Sequence, residues 1–375
     1  MIERYPSRNL AAIVLSFLLL ALASCKKDNT NNNNNNNTKV IPIATPTELG
    51  LYEADSAQYR ELIVAISQVG TNTVDDGLVY DTGSGGMVLD AQGIVPASMI
   101  TSSGFTFTGD STVINGVTIT SQTSTLQYGA DSSTLTTVYG NLAYANVTLG
   151  DQGENIVVKR MPFCIYYKAT DANGNTLPAH YFDTFGVNSE YIYFSGGSFI
   201  TSPFSYFDPG NGLTKGFKMA ELGTSNFSSQ GTYVAGVVTL GLTSADLSSS
   251  AGYTMHTVNF YQGDGYVPIF PTAVTYGAKT INTDLLFDSG TSGYSYIEDT
   301  TATSPLTLLP ENTQVNLTTN AGFIDNYTVG PEENLTYIEN PGLTGGEFSI
   351  LSIDFFLNNE YLLDFANQKL GLKNN

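Results

Sequence analysis

Apolar residues in this chain fall into short runs rich in Val, Ile, Thr, Tyr and Phe, each closed by Gly, Asn, Asp or Ser. A period of two dominates, and the 3.6-residue period of an amphipathic helix is scarce. The pattern predicts strands over 59–69, 78–80, 113–119, 138–149, 155–158, 191–194, 233–240, 285–287 and 361–365. Short helical turns are expected after Pro96 and over 243–247, with Thr243 or Ser244 as cap. Thirty-seven glycines and many Asn and Asp turns fit an all-β protein. No unit of about 20–50 residues repeats, which excludes solenoids and propellers.

One motif does return at long range. Leu78-Val79-Tyr80-Asp81-Thr82-Gly83-Ser84 is echoed by Leu285-Leu286-Phe287-Asp288-Ser289-Gly290-Thr291. An apolar strand running straight into a carboxylate is unusual, because Asp is depleted in strands and costly to bury unpaired. The commoner use of Asp before Gly is an Asx-turn. Two copies, each with small hydroxyl residues beside the glycine, point instead to a carboxylate dyad that activates water. Two carboxyls a few ångströms apart cannot both ionise, so they share a proton: one serves as base and the other as acid. Gly83 and Gly290 let the backbone turn sharply there, and Ser84 and Thr291 supply hydroxyl donors to the carboxylates.

The ends and the charge add context. Arg4 and Arg8 precede an apolar run from Leu10 to Ala23, which closes in Leu22-Ala23-Ser24-Cys25. That run is short for a transmembrane helix and has the order of a secretory signal; its ending resembles a bacterial lipobox, which implies cleavage before Cys25 and lipid on its sulfur. Residues 1–24 are therefore read as a lipoprotein signal peptide and 25–48 as a disordered tether carrying the run Asn31 to Asn37. The globular remainder exceeds one comfortable core, so two lobes are expected, 49–240 and 241–375. A net charge of −20, with no basic run in the folded part, argues against nucleic-acid binding. Only Cys25 and Cys164 are present; with Cys25 acylated no disulfide forms, and Cys164 reads as an inert buried thiol. His180 and His256 stand alone, without metal-ligand spacing, so neither a metal nor a cofactor is expected. No Gly-x-Ser-x-Gly elbow offers a serine nucleophile.

Several landmarks in order give the chain a resemblance to the pepsin family of aspartic proteases, covering roughly residues 50–375. Asp81-Thr82-Gly83-Ser84 and Asp288-Ser289-Gly290-Thr291-Ser292 resemble its two catalytic motifs. Gln127-Tyr128-Gly129 resembles the flap, and 138–150 its return strand. Phe182-Asp183-Thr184-Phe185-Gly186-Val187 is similar to the strand that passes behind the first aspartate, 237–241 to the crossing between lobes, and 349–372 to the closing strands. The resemblance implies a bilobal all-β fold with a cleft between two pseudo-symmetric, barrel-like lobes. It also implies an aspartic endopeptidase: Asp81 and Asp288 are catalytic, supported by Thr82, Gly83, Ser84, Ser289, Gly290 and Thr291. Tyr128 and Gly129 form a flap over an extended peptide substrate. The alternative is a pepsin-fold binding or inhibitor protein without turnover. The chain departs from the family in lacking any Trp, with Val88 where one is usual, and in having Ser352 where the second crossing strand usually has glycine. There is also no room for a long basic pro-segment. The expected setting is a monomer on the bacterial cell envelope, its membrane contact made only by the lipid anchor.

Overall fold

A computed structural model describes residues 42–56, 59–129, 135–153 and 155–374. The signal, Cys25 and the asparagine tether lie outside the described residues, as do Ala57, Gln58 and residues 130–134. The described chain is almost entirely β, with one short α-helix, Pro341–Thr344.

Its topology repeats. In the first half, Thr184–Val187 runs parallel to Asn72–Asp81 and antiparallel to Gly85–Asp90, which in turn pairs in parallel with Ile156–Thr170. In the second half, Ser349–Leu351 runs parallel to Lys279–Phe287 and antiparallel to Tyr294–Glu298, which pairs in parallel with Leu335–Glu339. Each aspartate thus ends a strand whose parallel neighbour returns from far along the chain. Parallel neighbours cannot be joined by a tight turn, so both sites are fixed by long-range pairing rather than local structure.

The first motif lies in a 14-stranded sheet and the second in an 8-stranded one. The larger sheet also takes in the C-terminal hairpin, Asn359–Asp364 with Lys369–Asn374, through pairing of Asn359–Asp364 with Thr214–Met219. Beneath both motifs runs a chain of ring contacts: Tyr80 to Phe204 (6.2 Å), Phe204 to Phe217 (5.2 Å), Phe217 to Tyr361 (5.9 Å), Tyr361 to Phe356 (5.9 Å), Phe356 to Phe355 (5.2 Å) and Phe355 to Phe287 (4.5 Å). It starts at the residue before Asp81 and ends at the residue before Asp288. All seven rings are buried, and aromatic pairs of this kind add roughly 0.5–1.5 kcal/mol each beyond area burial.

Two expectations change. The single strand over 113–119 is instead a hairpin, Ser111–Ile114 with Val117–Tyr128, turned at Asn115 (φ 50°) and Gly116 (φ 75°). Asn-Gly in a two-residue loop is the type I′ signal, and it overrides the apolar run. The strand over 155–158 continues to Thr170 past a bulge at Arg160 (φ 47°), pairing with Thr136–Leu149 on both sides of it. Helical turns do form after Pro96, at Ala97–Met99, and at Thr243, whose hydroxyl accepts from Asp246 N at 3.2 Å.

Candidate active site

Backbone geometry presses the two motifs together. A Cβ on Gly83 would stand 2.5 Å from Asp288 Oδ1, and one on Gly290 would stand 2.7 Å from Asp81 Oδ1. Each glycine is therefore the floor on which the opposite carboxyl rests, and no larger residue fits at either place. Around them, Thr82 and Ser289 tie the loops: Thr82 N donates to Ser289 Oγ (3.1 Å) and Ser289 N to Thr82 Oγ1 (2.9 Å). Their hydroxyls reach across in turn, Thr82 Oγ1 donating to Phe287 O (2.9 Å) and Ser289 Oγ to Tyr80 O (2.8 Å). Both side chains are buried, so all four bonds act out of water.

A glycine N–H and a hydroxyl reach each carboxyl in the same way. Asp81 Oδ1 accepts from Gly83 N (2.7 Å) and Ser84 N (3.2 Å), and its Oδ2 accepts from Ser84 Oγ (2.5 Å). Asp288 Oδ1 accepts from Gly290 N (2.7 Å), and its Oδ2 from Thr291 Oγ1 (2.6 Å). Asp81 is only 8 % exposed. Burial, followed by the charge and close carboxyl of Asp288, pushes Asp81 well above the carboxylate range, while Ser84 and Gly83 pull it back. A carboxyl kept protonated by its neighbour, held by donors that favour ionisation, is the electrostatic arrangement of a shared proton.

Above the first motif, Tyr128 ends the strand Val117–Tyr128, with Gly129 (φ 132°) after it. The Tyr128 ring lies 4.6 Å from Phe182 and packs on a buried cluster that includes Val88, Leu142 and Cys164. Burial first, then the charges of Cys164, Asp81 and Glu190, raise its phenol well above the usual value. In a chain without tryptophan, Phe182 and this cluster hold the ring. Ala130, at the tip of the expected flap, lies outside the described residues.

Ser352 keeps the second crossing strand tight by another route. It is fully buried, its N donates to Ser295 Oγ (3.1 Å), and the two hydroxyls meet at 3.2 Å. The equivalent place in the first half is Gly186, where a Cβ would stand 2.6 Å from Ser84 Oγ.

The remaining candidates are structural. Cys164 is buried, and burial lifts its thiol to about 12. His180 Nδ1 meets Asp183 Oδ2 at 2.7 Å; burial opposes its charge, but Asp183 holds its pKa above the ordinary value. His256 is buried with Nε2 2.7 Å from Thr319 Oγ1, and burial lowers its pKa. Among the described residues no group of three metal-ligating side chains comes together. Sequence reasoning did not single out the wall formed by Asn188, Ser189 and Glu190. Asn188 N donates to Ser84 O (3.0 Å), and Glu190 is raised to about 7 by burial and then by Asp264. No periodicity marks these residues; their closeness to Ser84 follows only from the register of Thr184–Val187.

No family model and no curated protein matches the sequence. Among solved structures, an aspartic proteinase from Irpex lacteus is similar over 88 % of this chain and 97 % of its own, with a TM-score of 0.53 at 14 % identity. The fold is the bilobal pepsin-like one. The same fold appears in basic 7S globulin from soybean (TM-score 0.56, 9 % identity, 88 % of this chain and 96 % of that one). It appears again in conglutin gamma, a basic 7S globulin from lupine seeds (TM-score 0.54, 12 % identity, 88 % and 96 %). At such identities the likeness concerns architecture. A pepsin-like fold accordingly occurs in proteins named as a proteinase and in others named as globulins, so any assignment of chemistry rests on the site itself.

Proposed function

We propose that this chain is an aspartic-type endopeptidase that hydrolyses extended peptides by activating water between Asp81 and Asp288. The supporting observation is that a glycine N–H and a hydroxyl reach each carboxyl in the same way, with each carboxyl seated on the other motif's glycine. In this reading the ionised carboxyl draws a proton from the water and later delivers it to the leaving nitrogen, while the protonated one holds the scissile carbonyl oxygen by a hydrogen bond. Ser84 and Thr291 hold the outer oxygens, so that neither carboxyl reorients as the proton moves. Tyr128 and Gly129 cover the substrate, which lies extended and pairs through its backbone as an added strand.

The setting we propose is a monomer on a bacterial cell envelope, secreted by the segment 1–24 and held by lipid on Cys25, with peptide or unfolded protein as partner. The test is acid-optimum cleavage of an unfolded protein, blocked by an aspartic-protease transition-state mimic and lost in Asp81→Asn or Asp288→Asn. Cleavage surviving either substitution rules the mechanism out. Cys25→Ala releasing the protein from membranes tests the anchor.

A second reading is supported by the two globulin structures of the same fold: a binding protein without turnover. Folded protein that retains peptides yet cleaves none between about pH 3 and 7 decides for it.

A further inference from the structure

Just ahead of the first crossing strand, Thr184–Val187, the backbone of His180 enters the left-handed region (φ 55°). A β-carbon disfavours that region, and a residue stays there where neighbours pin it from several sides. Here the pins are carboxyls. His180 N donates to Asp90 Oδ2 (3.0 Å), and its Nδ1 lies 2.7 Å from Asp183 Oδ2 and 3.7 Å from Asp76 Oδ1. Asp90 N in turn donates to Asp183 Oδ1 (2.8 Å). Asp90 and Asp183 are buried, and Asp75 adds like charge beside Asp76. Tyr166 brings a phenol that burial, then Asp183 and Asp90, keep firmly protonated. Among the described residues, the ion pairs of Asp76 and Asp183 are made with His180. One imidazole thus answers three carboxyls carried by three separate stretches of chain.

The segment pinned in this way touches both the flap and the strand of the first aspartate. The Phe182 ring packs on Tyr128 (4.6 Å between centroids). Asp183 O accepts from Val79 N (3.0 Å), two residues before Asp81. Residues 180–183 therefore link the Asp81 strand to the ring of Tyr128 by direct contacts.

We propose that His180 is a positioning residue, outside the chemistry itself, whose proton sets how firmly Phe182 holds the ring of Tyr128. The proposal rests on the reading of Tyr128 as a flap residue and adds a pH window to it. With an imidazolium between Asp183 and Asp76, the segment is fixed and the end of Val117–Tyr128 is anchored. Without that proton the three carboxyls repel one another across the same small space, and the segment loosens. The sign follows from the charges. Burial opposes the imidazolium, but Asp183, then Asp76 and Asp90, outweigh it and hold His180 above its ordinary 6.5. The anchoring is complete below 6.5 and lost as pH climbs through the raised value. Burial also raises Asp183 and Asp76, although His180 pulls both down, so the pair dissolves again in stronger acid. The flap is firmest in mild acid.

The test is hydrogen–deuterium exchange of the full chain, corrected for the intrinsic effect of pH, alongside NMR of its two histidine rings. In the parent, amides at the Tyr128 end of Val117–Tyr128 should exchange at least about tenfold faster at about pH 9 than at about pH 6. His180→Gln should show the fast rate at both, so that it differs from the parent only at the lower pH. Phe182→Leu, which breaks the link and leaves the imidazole in place, should likewise be fast throughout. In Asp183→Asn the His180 ring should titrate about one unit lower. Thermal melts confirm the fold of each variant, and the parent's own pH comparison needs no variant. No rise in the parent, a His180→Gln difference that persists at the higher pH, or an unmoved His180 titration in Asp183→Asn would each overturn the proposal. Exchange is read without substrate, so these outcomes stand apart from whether Asp81 and Asp288 cleave peptides.

Discussion

Thr82 and Ser289, 207 positions apart, exchange backbone N–H for side-chain hydroxyl in both directions, at 3.1 and 2.9 Å. Each hydroxyl also donates to a carbonyl of the opposite strand, so either residue alone satisfies one donor and one acceptor of its partner's loop. The network is dry, and removing either hydroxyl strands two backbone groups of the opposite loop: Ser289 N and Phe287 O for Thr82, Thr82 N and Tyr80 O for Ser289. Thr82→Val or Ser289→Ala should each destabilise by about 1–3 kcal/mol. The double variant should cost about the sum, because the two hydroxyls serve separate backbone groups. Urea unfolding of the four proteins measures this, and a single variant as stable as the parent would contradict the buried bonding.

Ser84 governs the alkaline limb of activity under the proposed mechanism. Its hydroxyl donates to Asp81 Oδ2 and favours the ionised form, against burial and Asp288. Ser84→Ala removes that support, so the carboxyl holds its proton more firmly. The alkaline limb of the kcat/KM profile should move to higher pH by about one unit, with the acid limb less affected. A uniform loss of rate with an unmoved profile would assign Ser84 to packing alone.

Stability should fall as pH rises toward neutrality. Glu53, Glu190 and Glu298 are each raised to about 7, Glu53 by burial, Glu190 by burial and then Asp264, Glu298 by burial and then Glu339. In the folded chain they hold protons that the unfolded chain releases near 4.5, so folding is favoured below that value and loses ground up to 7. Asp246 works in the opposite sense: despite burial, Lys218 and Thr243 keep it below its ordinary value, and that stabilisation disappears in stronger acid. The melting temperature should therefore be highest in mild acid. Glu53 is 1 % exposed, with Oε2 unpartnered. Glu53→Gln should add about 1–3 kcal/mol at neutral pH and flatten the decline.

Much of this site was legible in the sequence because it is written as local repetition. The two Asp-(Thr/Ser)-Gly-(Ser/Thr) stretches announced themselves, and the short apolar runs marked strand cores such as Tyr59–Val69 to the residue. What stayed hidden depends on register. Asn188, Ser189 and Glu190 form a wall beside Ser84 only because Thr184–Val187 pairs with Gly85–Asp90 in one alignment, and nothing in the order Asn-Ser-Glu states that alignment. Ser352 is instructive in the other direction. The family resemblance implies glycine there, as at Gly186 in the first half, where an added Cβ would meet Ser84. The second half instead has Ser295 positioned to bond the extra hydroxyl, a compensation that only spatial neighbours reveal.

Tyr361 separates the two contributions of a buried phenol. Its ring stands between Phe217 and Phe356 in the aromatic chain linking Tyr80 to Phe287, and it is fully buried. Its hydroxyl has no hydrogen-bond partner, and burial together with the charges of Asp288 and Asp81 keeps it firmly protonated. The ring carries the packing, while the hydroxyl is an unmatched polar group in an apolar place. Tyr361→Phe should consequently leave stability unchanged or raise it by up to about 1 kcal/mol. Tyr361→Ala should cost about 3–5 kcal/mol by opening a cavity under both motifs, and any cleavage activity should fall with it, because the seats of Asp81 and Asp288 rest on that layer. Denaturant melts of the two variants decide the point: a Phe variant as damaged as the Ala variant would mean that the hydroxyl, not the ring, is what the layer needs.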